Sequence, residues 1–168
     1  MSDNYKSLCS IFRACHIAPN QNILEEKGIM EMNISNVPYD ASYMSFRLDP
    51  NRYDIFPFFE TGKGLRRICD YIILVDFKDK LYILLVELKK SASEARQQLI
   101  ATEHLMNYMI SSAKRIQLPI DEQNIKLRKI RICYEKIKRN TRMHDVVYDK
   151  DKYIDYCWTN FRIVSLLK

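Results

Sequence analysis

Two nearly continuous apolar runs, separated by a short charged segment, constrain the fold of this chain more than any other feature. The runs are IILV at 72–75 and LYILLV at 81–86, and the segment between them is DFKDK at 76–80. Apolar runs of strand length are typical of strands that are buried within a sheet. We therefore predict a β-hairpin of about 68–75 and 81–88, buried in the core of an α/β fold.

The symmetry of the two runs also predicts which residues of the hairpin lie opposite each other. A loop of two or four residues centred on Lys78 and Asp79 makes the numbers of opposed residues sum to 157. Asp70 then lies opposite Glu87, and directly opposed residues of an antiparallel pair have Cβ atoms about 4.5–5.5 Å apart. Lys89 lies two positions beyond Glu87 and projects from the same face. Two carboxylates and an ammonium group thus converge at the open end of the hairpin, where they are costly unless a cation or a substrate accompanies them.

The residue types in this cluster are those of a site for Mg²⁺, with Mn²⁺ as an alternative. Such hard cations take oxygen ligands, commonly one or two carboxylates with water and phosphate oxygens. Asp70 and Glu87 would supply the carboxylates, and the backbone carbonyl of Leu88 would supply a third oxygen. A bound metal stabilises charge on a phosphoryl oxygen and generates hydroxide from water, and Lys89 would orient that water or neutralise the transition state. The pattern favours hydrolysis of a phosphodiester over the alternative, a surface hairpin with a fortuitous salt bridge.

The arrangement Asp70-(x)16-Glu87-Leu88-Lys89, on a predicted hairpin followed by a helix, resembles the core motif of the PD-(D/E)XK nuclease superfamily. That superfamily includes restriction endonucleases and Holliday junction resolvases. The resemblance implies a single restriction endonuclease-like domain over residues 1–168, with an αβββαβ core around a mixed central β-sheet. It also implies that Asp70 and Glu87 bind Mg²⁺ and that Lys89 is the catalytic lysine of a nuclease, with DNA as the expected substrate.

Other positions that the resemblance implies are matched less closely. Cys69 stands where the motif has a proline. Many members carry a glutamine on the helix after the motif, and Gln98 is the preferred candidate, whereas Gln97 is equally well explained as a solvated residue. Many members also carry an acidic residue on the first helix, and the candidates for this third acid are Glu25 and Glu26, for which a solvated pair is the favoured alternative, and Glu60, which is the weaker option. Because none of them matches cleanly, a second function stays open: a catalytically inactive protein of this fold that binds nucleic acid, self-assembles or binds another protein.

The remaining elements are predicted from hydrophobic spacing and helix-end signals. An apolar stripe and a capping box that begins at Ser91 predict a helix over about 92–114. The other predicted elements are an amphipathic helix at about 4–17, strands within 29–32 and 43–48, a strand around 129–134, a polar loop at 140–158 and a final strand at 161–167. This order matches the αβββαβ core that the resemblance implies.

The positive charge of the chain is concentrated in one segment. Residues 115–142 carry nine Lys and Arg against three acidic residues, which gives +6, the formal net charge of the whole chain. A localised basic region favours a polyanion such as nucleic acid, and a solvated face of mixed charge is the alternative. The predicted phosphate contacts are Lys129, Arg131, Lys136, Lys138 and Arg139 in this segment, together with Lys63, Arg66 and Arg67 before the hairpin.

Several other classes of protein are disfavoured. No apolar stretch approaches the roughly 18–20 residues of a membrane span, and the N-terminus lacks the features of a signal peptide, so a cytoplasmic protein without a membrane partner is expected. Five cysteines without paired spacing favour free thiols over disulfides. The segment TGKGLRR at 61–67 lacks the remainder of a phosphate-binding P-loop, which disfavours nucleotide hydrolysis. The tyrosines at 148, 153 and 156 could stack on bases, or could pack at an edge or in the subunit interface of a homodimer.

Overall fold

The computed structural model describes residues 1–26, 30–48, 56, 59, 64, 66–89, 92–133 and 146–168. Within these residues the chain is a mixed α/β structure with two sheets and three α-helices. The elements in chain order are α1 (Asp3–Ile11), β1 (Ile23–Glu26), β2 (Met30–Ser35), β3 (Ser42–Arg47), β4 (Tyr71–Phe77), β5 (Lys80–Leu88), α2 (Ala92–Arg115), β6 (Ile125–Ile132), β7 (Tyr153–Tyr156), β8 (Phe161–Arg162) and α3 (Ile163–Leu166). In this part of the chain no helix combines the length and the apolar character needed to cross a membrane.

A mixed five-stranded sheet in the order β3-β4-β5-β6-β7 forms the centre of the described structure. β3, β4 and β5 pair antiparallel, whereas β6 runs parallel to β5 and β7 runs parallel to β6. Parallel neighbours need a crossover connection, and α2 lies in the connection between β5 and β6. The helix predicted at 92–114 is confirmed as α2, which ends one residue later at Arg115. Ser91, which begins the predicted capping box, lies outside the described residues.

The central hairpin consists of β4 and β5, joined by the two-residue loop Lys78-Asp79. Both loop residues have positive φ, 50° and 59°, as a type I′ turn requires, and the twist of this turn matches that of antiparallel strands. Pairing runs from Phe77 to Tyr71 on β4, with partners whose numbers sum to 157. The predicted register is therefore confirmed. All of β4 except its last residue and all of β5 except its first are buried.

Side chains of the hairpin alternate between two cores, one on each face of the sheet. Tyr71 and Ile73 lie in the core shared with a small second sheet, β1-β2-β8, in which β1 and β2 are antiparallel and β2 and β8 are parallel. Ile72 lies in the core shared with α1 and α2. Because side chains alternate along a strand, Asp70 and Glu87 share the face of Ile72 and look towards α2.

The N-terminal part of the chain differs from the prediction in two respects. The helix expected at 4–17 ends at Ile11, and a separate 3-10 turn follows at Ala14–His16. β1 corresponds to no predicted element, and its pairing with β2 runs from Ile23 to Glu26. A four-residue strand with two glutamates has little intrinsic signal, and tertiary contacts decide its conformation. The strands predicted within 29–32 and 43–48 correspond to β2 and β3.

The C-terminal part of the chain also requires correction. The polar loop expected at 140–158 contains the strand β7, and the strand expected at 161–167 consists of two residues of β8 followed by the helix α3. Tyr156 accounts for part of this difference, since its buried hydroxyl donates a hydrogen bond to Asn160 O at 2.6 Å and accepts one from Arg162 N at 2.9 Å. These bonds form between residues close in sequence but depend on a tyrosine ring buried in the core. Residue spacing alone does not reveal them.

Candidate active site

Asp70 stands directly before β4, at the open end of the central hairpin. The register places it alongside Glu87, one step beyond the last paired residues of the two strands. The backbone carbonyl of Asp70 accepts a hydrogen bond from Leu48 N at 2.8 Å. Its Oδ2 accepts another from Leu88 N, also at 2.8 Å. Asp70 is thus hydrogen-bonded to the chain at the ends of β3 and β5, and its carboxylate is fixed at this end of the strands.

Glu87 supplies the more deeply buried carboxylate of the pair. Its side chain is 3% exposed, and its Oε1 lies 3.8 Å from Lys89 Nζ. Its Oε2 is buried and has no hydrogen-bond partner among the described residues. A buried polar atom without a partner costs about 1–3 kcal/mol, and a charged one costs more. Glu87 Oε2 is therefore an oxygen that a proton or a cation would stabilise.

Burial raises the pKa values of both carboxyl groups. Burial raises the pKa of Asp70 to about 6, although the hydrogen bond from the Leu88 N–H opposes this rise by stabilising the anion. Burial raises the pKa of Glu87 to about 8, and the negative charge of Asp70 contributes to the rise. The charge of Glu26, at the end of β1, raises both pKa values further. A divalent cation at this position would favour the ionised form of both groups.

Lys89 is held beside the carboxylates by the helix that follows the hairpin. Its Nζ donates a hydrogen bond to Gln98 Oε1 at 2.6 Å, and Gln98 Nε2 donates one to Ile68 O at 3.1 Å. Glu94 Oε2 lies 3.4 Å from the same Nζ. The structure thus brings the predicted Gln98 into contact with Lys89 and links α2 to the entry of β4. Gln97, the other candidate, is exposed.

Of the candidates for a third acidic residue, Glu25 and Glu26 lie in β1 of the small sheet rather than on a helix. Of the candidates, Glu26 is the one whose charge acts on both Asp70 and Glu87. The hydroxyl of Tyr71 ties β1 to β4, because it accepts a hydrogen bond from Glu25 N at 3.0 Å and donates one to Glu25 O at 3.1 Å. Glu25 itself is exposed. Glu60 lies outside the described residues.

The donor set fits a cation that needs few protein ligands. Across the ranges that the structure describes, no three His, Cys, Asp or Glu side chains are grouped so as to hold a metal ion. Mg²⁺, however, usually keeps several waters and is bound by one or two carboxylates together with substrate phosphates. Asp70 and Glu87 meet this requirement, and the unpartnered Glu87 Oε2 is the observation that makes them fit such an ion.

Two of the predicted phosphate contacts on β6 are buried inside the fold. The side chain of Lys129 is 8% exposed and forms an ion pair with Glu103 of α2. The side chain of Arg131 is 6% exposed, and its Nε lies 2.7 Å from Asp155 Oδ1 on β7. Both side chains lie on the face of the sheet that α2 covers rather than on a face open to solvent. Each forms an ion pair with a carboxylate of the protein itself. Neither contributes an exposed charge to the surface of the described structure.

The other predicted phosphate contacts divide into two groups. Arg66 is half-buried, and its Nε donates a hydrogen bond to Phe59 O at 2.7 Å, whereas Arg67 is exposed three residues before Asp70. The remaining four, Lys63, Lys136, Lys138 and Arg139, lie outside the described residues.

One cation near the carboxylates is missing from the residues that the sequence singled out. Arg47 is the last residue of β3, and its charge lowers the pKa of Asp70 against the effect of burial. The sequence carries a signal for it only through pairing, since Arg47 lies opposite Tyr71 in the β3–β4 ladder. That register could not be predicted from the sequence, because the connection between the two strands, residues 48–70, is far longer than a hairpin loop whose length would fix it.

Comparison with known proteins adds no relative to this description. No protein-family model matches the chain, and no curated protein or solved structure is significantly similar to it.

Proposed function

We propose that the protein is a Mg²⁺-dependent nuclease that hydrolyses phosphodiester bonds, with DNA as its substrate. The observation that carries the proposal is the pair Asp70 and Glu87, which the register places opposite each other at the open end of a buried hairpin. Glu87 Oε2 has no hydrogen-bond partner in the described structure, and repulsion from Asp70 raises the pKa of Glu87. A purely structural hairpin would have no reason to retain such a pair.

The order of the elements supports a restriction endonuclease-like core. α1 precedes three antiparallel strands, β3, β4 and β5, and α2 then leads to β6, which runs parallel to β5. With β1 and β2 of the small sheet set aside, this order resembles the αβββαβ order of the PD-(D/E)XK superfamily, which supports assigning the two carboxylates and the lysine to an active site. The small sheet, β7 and α3 are additions to that core.

Each residue of the site then has a role that its contacts support. Asp70, Glu87 and the backbone carbonyl of Leu88 would hold the cation. A bound divalent cation supplies Lewis-acid stabilisation of charge on phosphoryl oxygens and lowers the pKa of water. Lys89 provides a positive charge beside the reacting phosphate, and Gln98 keeps its ammonium group in place through a hydrogen bond of 2.6 Å.

The proposal is tested by cleavage of plasmid and branched DNA in Mg²⁺ or Mn²⁺. Glu87→Gln and Lys89→Ala should each reduce the rate by at least about 100-fold, the effect of removing one electrostatic contact to a transition state. Glu122→Gln and Lys114→Ala are matched controls, because these residues form an exposed ion pair between the end of α2 and the following turn. The controls should cleave like the wild type.

Metal binding is measured separately by calorimetry on the wild type and on Asp70→Asn, which should bind Mg²⁺ more weakly. A wild-type protein that neither binds Mg²⁺ nor cleaves DNA or RNA in either metal would refute the nuclease. That result would favour the alternative function, a catalytically inactive protein of this fold that serves as a binding or assembly module.

A further inference from the structure

Arg47 lies beside the candidate site without being part of its carboxylate cluster. The residue that follows it, Leu48, donates its backbone N–H to Asp70 O at 2.8 Å. In the β3–β4 ladder Arg47 is paired with Tyr71, the residue after Asp70. Its guanidinium carbon lies 5.9 Å from the centre of the Tyr71 ring. The end of β3 thus places a cation at the same end of the sheet as the two carboxylates, on the face of Tyr71 rather than on the face of Asp70 and Glu87.

The guanidinium of Arg47 is held only loosely. Among the described residues its ion-pair partner is Glu25, at 3.8 Å, and the two side chains are 30% and 49% exposed. This distance exceeds that of a hydrogen bond, and exposed ion pairs contribute little free energy. Arg131, by contrast, is 6% exposed and contacts its carboxylate at 2.7 Å. A ligand could therefore displace Glu25 from Arg47 at small cost.

We propose that Arg47 binds a backbone phosphate of the nucleic acid next to the scissile position, in the place that Glu25 occupies in the free protein. A planar guanidinium binds phosphate through two parallel hydrogen bonds, and stacking on Tyr71 would keep its plane fixed. The phosphodiester chain would then pass around the strand ends and be held at two points, the cation between Asp70 and Glu87 on one face of the sheet and the guanidinium of Arg47 on the other. The inference rests on the proposed nuclease function and assigns a residue to substrate binding within it.

The charge of Arg47 gives the inference an unusual signature. Arg47 repels a metal cation at this site, because the end of β3 places its positive charge next to the strand that Asp70 precedes. Arg47→Ala should therefore leave the affinity for Mg²⁺ unchanged or increase it, while it weakens binding of a phosphodiester. Glu25→Gln removes the competing carboxylate and should strengthen binding of a phosphodiester. A residue that only supports the fold would weaken both kinds of binding when it is replaced.

The experiment measures binding of a fluorescent DNA duplex by anisotropy in EDTA, over a series of salt concentrations. Arg47→Ala should bind about 10- to 100-fold more weakly, the effect expected when one hydrogen-bonded charged group is removed, with the salt slope reduced by about 0.9 for each phosphate that is no longer neutralised. Arg47→Lys keeps the charge without the planar group, so its affinity for the duplex should lie between that of the wild type and that of Arg47→Ala. Lys80→Ala is the control, since Lys80 is an exposed cation at the opposite end of β5 from Glu87.

Mg²⁺ titration of the same variants by calorimetry, with melting curves to verify folding, separates the possible failures. If Arg47→Ala binds the duplex like the wild type, or if Glu25→Gln does not bind it more tightly, the phosphate contact is wrong and the nuclease proposal stands. A decrease of both duplex and Mg²⁺ affinity in Arg47→Ala would assign Arg47 a structural role instead. A wild-type protein that binds neither probe would overturn both proposals.

Discussion

Glu87 combines a central position in the sheet with a carboxylate that the fold alone does not satisfy. Its place opposite Asp70 follows from the symmetry of two apolar runs about Lys78 and Asp79, because that symmetry specifies a single register for the hairpin. Its unpartnered Oε2 does not follow from the sequence. That property depends on which side chains surround the carboxylate. Lys89 Nζ donates its hydrogen bond to Gln98 Oε1 rather than to Glu87.

The raised pKa of Glu87 makes the stability of the metal-free protein depend on pH. The pKa lies near 4.5 when the group is unperturbed and rises to about 8 in the folded protein. The stabilising contribution of the protonated form is thus fully present below about pH 4.5 and is lost as the pH rises through about 8. We expect the melting temperature in EDTA to fall between about pH 5 and pH 8.5.

Glu87→Gln cannot ionise at this position, so its melting temperature should decrease less over the same pH range. At about pH 8.5 its free energy of unfolding should exceed that of the wild type by about 1–3 kcal/mol. Mg²⁺ should restore the melting temperature of the wild type at about pH 8.5 but not that of the variant. The control is Glu122→Gln, a substitution at an exposed ion pair, which should follow the wild type at every pH. A wild type that gains stability over this range would show that the Glu87 carboxylate is already satisfied.

Among the elements, the turn of the central hairpin carries an avoidable strain. Lys78 and Asp79 both have positive φ, a conformation that costs about 1–2 kcal/mol for most side chains and less for asparagine or glycine. Replacing the two residues together by Asn and Gly, the pair preferred in type I′ turns, should raise the free energy of unfolding by about 1 kcal/mol. Denaturant unfolding measures this change, and Lys80→Ala serves as the control. A destabilised variant would mean that the turn has another conformation, in which glycine only adds entropy to the unfolded chain.

The elements also differ in how well their own sequences predict them. α2 is long and carries a continuous apolar stripe, so its limits are predicted to within a residue. β1, β7 and α3 are four residues each, too short for any periodicity to be distinctive. Their conformations depend on partners far away in the chain, such as the Tyr71 hydroxyl that bonds to Glu25. The sequence therefore identifies the hairpin, Lys89 and Gln98, but it cannot select Glu26 or find Arg47.

At the scale of the whole molecule, the distribution of charge differs from the one suggested by sequence order. Residues 115–142 carry an excess charge equal to the net positive charge of the chain. Within that segment, however, Lys129 and Arg131 form ion pairs inside the fold. The predicted nucleic-acid footprint would then depend on the cations that follow β6. Their positions lie outside the described residues, and their role in binding remains a prediction.

Replacing Lys136, Lys138 and Arg139 together by Glu tests this footprint. We expect duplex affinity to fall strongly and the slope of log affinity against log salt to become less steep by about 0.9 for each phosphate that the variant no longer neutralises. Mg²⁺ affinity at Asp70 and Glu87, measured by calorimetry, should not change. An unaltered affinity and slope in the triple variant would assign the segment to a solvated face or to a protein contact.

The covering of both faces of the central hairpin determines the direction from which a polymer can arrive. Neither face of β4 or β5 is open, since one packs against the small sheet and the other against α1 and α2. The DNA substrate that we propose could not lie flat across strands that are enclosed in this way, and would have to meet the rim where they end. Because Asp70, Glu87 and Arg47 all lie where the strands end, we expect a nucleic-acid strand only a few nucleotides long to be sufficient for binding at the proposed site.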